Sequence, residues 1–240
     1  MRRTLALTLF CVTALVALPA SAQRWILAGD SIQAGVFANP DFGLVGGDGR
    51  QLTATLITQA TGVVIQNISS PGARMTTPAP GYFPGLKDQA AAINFIDGFF
   101  GATGIIITIG VNDANASVDL DEYGRDYAAF VAHAQGRGLT VICALPLNEP
   151  NEVADVSRSL RFAFQLRTYY ACRNAGVPEA NIFNPAAYGI APDDANPEKR
   201  RLFAGTAAAP DNVHLSSDGH ALFARSLIDF MVARGFWTRS

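Results

Sequence analysis

The chain is 240 residues long, 49% hydrophobic and 16% charged, with 18 lysines and arginines against 20 acidic residues and a formal net charge of −2. That length and apolar share suit one α/β domain with a full core. The lack of any basic surplus or basic run excludes the electrostatic footprint of a nucleic-acid binder.

Met1-Arg2-Arg3 is followed by an apolar run from Leu5 to Leu18 and then by Pro19-Ala20-Ser21-Ala22. These are the basic region, the hydrophobic region and the A-x-A cleavage site of a secretory signal. The run is shorter than the about 20 apolar residues a membrane-spanning helix needs. Residues 1–22 are therefore expected to be cut away before Gln23, leaving a single domain over 23–240 that is secreted or periplasmic and has no stable membrane insertion. Loss of Arg2 and Arg3 takes the net charge from −2 to about −4.

Beyond the signal, short apolar runs alternate with helical stretches. Strands are predicted over 24–28, 63–68, 105–109, 139–145 and 181–183. Helices are predicted over 50–59, 87–99, 120–134, 153–174 and 217–233. This alternation predicts an α/β fold in three α/β/α layers, with a doubly wound, mostly parallel five-stranded sheet of flavodoxin-like type. Segments 37–49, 75–85 and 188–210 are rich in Gly, Pro, Asn and aromatic residues and read as loops. Their Phe37, Phe42, Tyr82, Phe83 and Phe203 either line an acyl or leaving-group site or pin these loops to the core. Cys11 leaves with the signal. Cys143, on a predicted strand, and Cys172, on the inner face of the next helix, either pair in an oxidising compartment or stay as two small buried hydrophobes.

Four motifs lie at strand ends or in later loops: Gly29-Asp30-Ser31, Gly72, Gly110-Val111-Asn112-Asp113, and Asp211-Asn212-Val213-His214. Ligand sites in parallel sheets sit at such strand ends. A serine hydroxyl becomes a nucleophile only beside a base, normally a histidine oriented by a carboxylate. Of the three histidines, His133 and His220 fall in helical stretches, while His214 falls in a predicted loop with Asp211 three residues before it. Ser31, His214 and Asp211 are thus the candidate nucleophile, base and orienter. Asp30 and Asp113 read as carboxylates bracing their turns, and Arg74 either meets an anionic group of a substrate or is solvated. No Cys or His pair has zinc spacing, and Gly46-Gly47-Asp48-Gly49 lacks a P-loop lysine and the third glycine of a dinucleotide fingerprint, so neither metal nor cofactor is expected. No G-x-S-x-G occurs, which speaks against the α/β-hydrolase elbow.

In this order the four blocks, extended by Leu215-Ser216-Ser217-Asp218-Gly219, resemble the SGNH hydrolases of the GDSL esterase/lipase family, from Gly29 to Gly219. Ile32 and Gly35 match the usual continuation of the first block, and Gln33 stands where a threonine is common. The resemblance implies an oxyanion hole made by the Ser31 and Gly72 backbone N–H groups and the Asn112 amide. It implies hydrolysis of a small-molecule or glycan ester, short-chain or acetyl, through an acyl-enzyme. A lipase, lysophospholipase or thioesterase of the same fold is an alternative, as is a secreted binding module without turnover. Oligomeric state is not set by these residues.

Overall fold

A computed structural model describes residues 23–39, 43–46, 52–76, 85, 86, 90, 93, 94, 101–147, 160–190, 196–205 and 210–239. The signal segment, residues 1–22, lies outside them.

The central sheet has five strands: β1 (Arg24–Gly29), β4 (Val64–Asn67), β5 (Gly104–Thr108), β6 (Thr140–Ala144) and β7 (Ile182–Phe183). Their spatial order is β4-β1-β5-β6-β7, with every neighbouring pair parallel. Taken in chain order this is 2-1-3-4-5, a doubly wound sheet whose direction of winding reverses between β1 and β5. The central strands β1, β5 and β6 read as near-continuous apolar runs because both of their faces are covered, whereas the edge strand β4 is only half-buried. Side chains alternate along each strand: Trp25 and Leu27 join Ile106 in one core, while Ile26 and Ala28 join Ile105 and Ile107 in the other.

The first core is capped by helix α1 (Thr53–Thr61) and by α6 (Ser217–Ala233) through Ile57, Leu227 and Phe230. The second is capped by α3 (Leu120–Gly136) and α4 (Leu160–Asn174) through Tyr127, Val131 and Phe164. Cys143 on β6 and Cys172 on α4 are fully buried and joined by a disulfide, so the pairing left open by the sequence is made. A short helix, α2 (Val111–Asn115), follows β5.

The closing helix occupies the predicted residues 217–233. Of the helix predicted over 87–99, residues 90, 93 and 94 are helical, and the others lie outside the described residues. So do residues 153–159 of the helix predicted over 153–174.

Two predicted loops contain regular structure. Within 37–49, strands β2 (Val36–Asn39) and β3 (Gly43–Gly46) pair antiparallel. Within 188–210 lie the short helix α5 (Pro197–Arg200) and strand β8 (Phe203–Gly205), which pairs antiparallel with β9 (Pro210–Leu215). These strands have three to six residues and are bounded by Gly, Pro and Asn, so turn chemistry dominates the local pattern and only the partner strand reveals them. Helix α5 starts where the Asn196 side chain accepts from the Glu198 N–H at 3.0 Å and Pro197 occupies the first turn. Residues 77–84 of the third predicted loop, with Tyr82 and Phe83, lie outside the described residues, as do Phe42 and the side chain of Phe37. Phe203 is 3% exposed and belongs to the first core, so it pins its segment to the core.

Candidate active site

The crevice at the carboxyl ends of β1 and β5 is where a doubly wound sheet offers a ligand site. Gly29 ends β1 directly opposite Thr108, and a Cβ there would lie 2.4 Å from the Thr108 hydroxyl and 2.8 Å from its carbonyl oxygen. The two strand ends meet this closely only because residue 29 lacks a side chain. The chain then turns: the Asp30 carbonyl accepts from the Ala34 N–H at 3.0 Å, and the Asp30 carboxylate accepts from the Ile32 N–H at 3.0 Å. Asp30 therefore braces the turn that carries Ser31. The turn is fixed from β4 as well, because the Asn67 amide donates to the Gln33 carbonyl at 2.7 Å. That brace uses the backbone of residue 33, which explains how glutamine can stand where threonine is common.

Gly72 lies in a turn closed by the Ala73 N–H donating to the Ser70 carbonyl at 3.1 Å, and its φ of 72° is the left-handed conformation that Pro-Gly turns require. The block after β5 holds this segment. The Asn112 amide donates to the Ala73 carbonyl at 3.0 Å, and the Asp113 carboxylate accepts from the N–H groups of Met75 at 2.9 Å and Thr76 at 3.1 Å and from the Thr76 hydroxyl at 3.0 Å. Asp113 is thus structural, and its reach extends beyond its own turn to the Gly72 segment. Burial pushes its carboxyl up, and these three hydrogen bonds, with the Arg74 charge, oppose that.

Asp211 and His214 stand on β9, a correction to their predicted place in a loop. The partner strand β8 comes from a segment too irregular to read as a strand. On a regular strand, residues three apart face opposite sides. Here β8 advances from 203 to 205 while β9 advances from 210 to 215, so β9 bulges. The Asp211 carboxylate folds onto the bulge, accepting from the N–H groups of Val213 at 2.9 Å and His214 at 3.0 Å. The same carboxylate then meets His214 Nδ1 at 2.8 Å, and His214 Nε2 reaches Ser31 Oγ at 2.9 Å across 183 positions of sequence. Ser31, Asp211 and His214 are each 7% exposed. At its far end the hairpin is anchored to α6, where Ser216 donates its N–H to the Leu202 carbonyl at 3.0 Å and caps the helix through Gly219 N–H.

The two carboxylates next to these groups differ in character. Burial pushes the Asp30 carboxyl up to about 6 against the pull of the Ile32 N–H and the His214 charge. Burial acts the same way on Asp211, but there the His214 ring and the His214 and Val213 N–H groups outweigh it and hold the carboxyl at about 2. Asp211 is a carboxylate at any working pH, so it fixes a proton on His214 Nδ1 and leaves Nε2 to accept from a hydroxyl.

The other histidines do not reach Ser31. Buried His220 on α6 sets Nδ1 against the Thr53 hydroxyl at 3.0 Å, and burial, helped by the His214 charge, lowers it to about 4. His133 sets Nε2 against the Asn94 side-chain oxygen at 3.1 Å. Sequence reasoning missed the Asn67 brace and the Thr53–His220 contact. An asparagine ending β4 was a usable signal for the first, and nothing local marked the second. Among the described residues no group of three or more His, Cys, Asp or Glu could hold a metal ion, and no helix is long and apolar enough to cross a membrane.

No curated protein sequence matches the chain. Solved structures do: the carbohydrate acetylesterase Est24 from Sinorhizobium meliloti (13% identity, TM-score 0.63, covering 88% of this chain and 99% of that one) is one. Another is the acetyl-xylooligosaccharide esterase Axe2 from Geobacillus (21%, 0.57, 87% and 94%). A third is a member of the lipolytic protein G-D-S-L family from Veillonella parvula (17%, 0.55, 87% and 97%). At these identities they establish the shared fold. The family profile described as GDSL-like lipase/acylhydrolase matches residues 27–222, most of the sequence and all four blocks, and the chain belongs to that family of carboxylic ester hydrolases.

Proposed function

We propose that this protein is an exported serine esterase that removes short acyl groups, acetyl foremost, from a glycan or small-molecule ester through an acyl-enzyme on Ser31. The observation that carries the reading is His214 bridging Ser31 Oγ at 2.9 Å and Asp211 at 2.8 Å. In this reading His214 Nε2 takes the Ser31 proton as Oγ attacks the ester carbonyl, and Asp211 holds the ring and stabilises the imidazolium. The developing oxyanion is held by the Ser31 and Gly72 N–H groups and by Asn112, whose amide has a second N–H beyond the one given to Ala73. His214 then passes its proton to the leaving alkoxide. Water, deprotonated by the same nitrogen, clears the acyl group.

Export is supported by the basic, apolar and A-x-A pattern of residues 1–22 and by the buried Cys143–Cys172 disulfide, which suits an oxidising compartment. The acetyl-glycan preference is supported by the two carbohydrate-directed acetylesterases among the similar structures. A lipolytic protein among them favours a second reading, a lipid ester or thioester as substrate.

Ser31→Ala is expected to lower kcat by about 10⁴- to 10⁶-fold with an unchanged thermal unfolding curve. Equal hydrolysis by variant and wild type would leave a binding module with this fold. A chain-length series of nitrophenyl esters separates the substrates: the acetyl reading expects the highest kcat/KM at the shortest chains, and activity confined to chains above about eight carbons would transfer the assignment to lipid.

A further inference from the structure

Helix α4 buries six side chains, and three of them are polar: Arg161, Gln165 and Thr168, at 2%, 8% and 0% exposure. Their spacing, i, i+4 and i+7, puts them on one face of the helix. A core helix gains nothing from burying such groups unless each finds a partner, because a buried polar atom without one forfeits its hydration. All three find partners around the block that follows β5. Arg161 donates from Nη2 to the side-chain oxygen of Asn115, the last residue of α2, at 3.0 Å. Gln165 Nε2 donates to the Pro146 carbonyl at 2.6 Å. Thr168 Oγ1 lies 2.7 Å from the Tyr123 hydroxyl, which donates to the Ile109 carbonyl at 3.3 Å, so the threonine supplies the proton between the two hydroxyls. Tyr123 and Pro146 in turn close on Gly110, where a Cβ would lie 2.5 Å from the tyrosine hydroxyl and 2.7 Å from the proline ring. The start of Gly110-Val111-Asn112-Asp113 is thus gripped by two groups that α4 holds, and the end of α2 is held by a third.

We propose that this polar face of α4 is a brace that sets the Asn112 amide at the oxyanion, which makes Arg161, Gln165 and Thr168 positioning residues. The inference rests on Asn112 being an oxyanion donor. Helix α2 is five residues long and carries Asn112 in its first turn, so any tilt of α2 moves the amide directly. A helix this short takes its orientation from what surrounds it. The bonds from Asn112 and Asp113 join it to the Gly72 segment, itself a turn, whereas α4 is a fifteen-residue helix packed into the second core. The rigid side of the pair is therefore α4. Negative charge on the carbonyl oxygen appears only as the serine attacks, so a displaced amide costs kcat and spares KM.

Thr168→Val, Gln165→Leu and Arg161→Met, each in the full mature enzyme with nitrophenyl acetate, test this. Thr168→Val and Gln165→Leu are each expected to lower kcat by about 3- to 10-fold, the scale of one lost hydrogen bond, and Arg161→Met, which loses a charged donor, by about 10- to 100-fold. KM is expected to change less than about twofold in all three. In an Asn112→Ala background the same changes are expected to cost less than about twofold, because the amide they position is gone. Hydrogen exchange at residues 110–115 is expected to quicken in the three variants, a readout independent of turnover. Thr168→Val is nearly isosteric and keeps the test decisive should Arg161→Met fail to fold. Unchanged kcat in Thr168→Val and Gln165→Leu, losses confined to KM, losses that multiply with Asn112→Ala, or unchanged exchange at residues 110–115 would each overturn the proposal. Asn112→Ala alone reads the oxyanion role, so full activity there would end that role, whereas a large loss there with none in the α4 variants would end the brace alone.

Discussion

Ser31, Gly72 and Asn112 stand at the carboxyl edge of a parallel sheet, whereas Asp211 and His214 stand on a two-stranded hairpin outside it. Ser31 and Asn112 follow strands buried on both faces, with Ile105, Ile106 and Ile107 at 0% exposure, and Gly72 follows the half-buried edge strand β4. Asp211 and His214 are placed by a bulge, a carboxylate that hydrogen-bonds its own backbone, and a helix cap. The sheet side adds hydrogen bonds from Asp30, Asn67 and Asp113 to a packed core, and the hairpin side rests on polar contacts that one substitution can undo. The two sides meet at a single hydrogen bond, Ser31 to His214.

Breaking that meeting point has the largest expected effect. His214→Ala is expected to lower kcat by about 10⁴- to 10⁶-fold, and Asp211→Asn by about 10⁴-fold, because an amide fixes the wrong tautomer on the ring while leaving its position intact. Steady-state kinetics with nitrophenyl acetate checks both, and an Asp211→Asn loss of less than tenfold would mean that the hairpin does not need its carboxylate. On the sheet side, Asn112→Ala is expected to cost about 10² to 10³ in kcat with KM nearly unchanged, as for removal of one oxyanion donor. A change in KM alone would assign Asn112 to ground-state binding.

Stability effects sharpen the same contrast. Replacing Cys143 and Cys172 by Ser removes a cross-link closing 29 residues between β6 and α4, expected to cost about 3–4 kcal/mol in chemical denaturation. The loss falls on the sheet side and should leave kcat of the folded enzyme within about twofold. The smallest effect concerns Asp30 against Asp211. Asp211, held at about 2 against 3.8, adds stability above pH 4 that is lost as pH falls toward 2. Asp30, pushed to about 6, acts with the opposite sign: the folded state keeps a proton the unfolded chain gives up, so stability falls as pH rises from about 4 to 6. Asp30→Asn is therefore expected to unfold like wild type at pH 4 and to be more stable at pH 7 by up to about 3 kcal/mol, read from thermal unfolding at both pH values.

The same division explains how much could be read from the sequence. Strands such as 105–109 and the helix over 217–233 were legible because continuous apolar runs and helical periodicity are local signals of double and single-sided burial. Ser31 and Asn112 were legible because each follows such a run. The setting of His214 was not, since β8 and β9 exist only through each other and Phe203–Gly205 carries no pattern of its own. The disulfide stayed undecided for a related reason: two buried cysteines on neighbouring elements pack equally well as thiols until their Cα atoms are known to lie 6.8 Å apart. Asn67 acts through a bond to the Gln33 carbonyl of a distant segment, which no window of sequence contains.

In the proposed reaction the hydroxyl of Ser31 becomes covalently acylated with help from His214. Treating the mature protein with a fluorophosphonate probe and mapping the labelled peptide by mass tests it directly. One adduct is expected, on Ser31, slowed by orders of magnitude in His214→Ala. An adduct on another residue, or full ester turnover with Ser31 unlabelled, would contradict it.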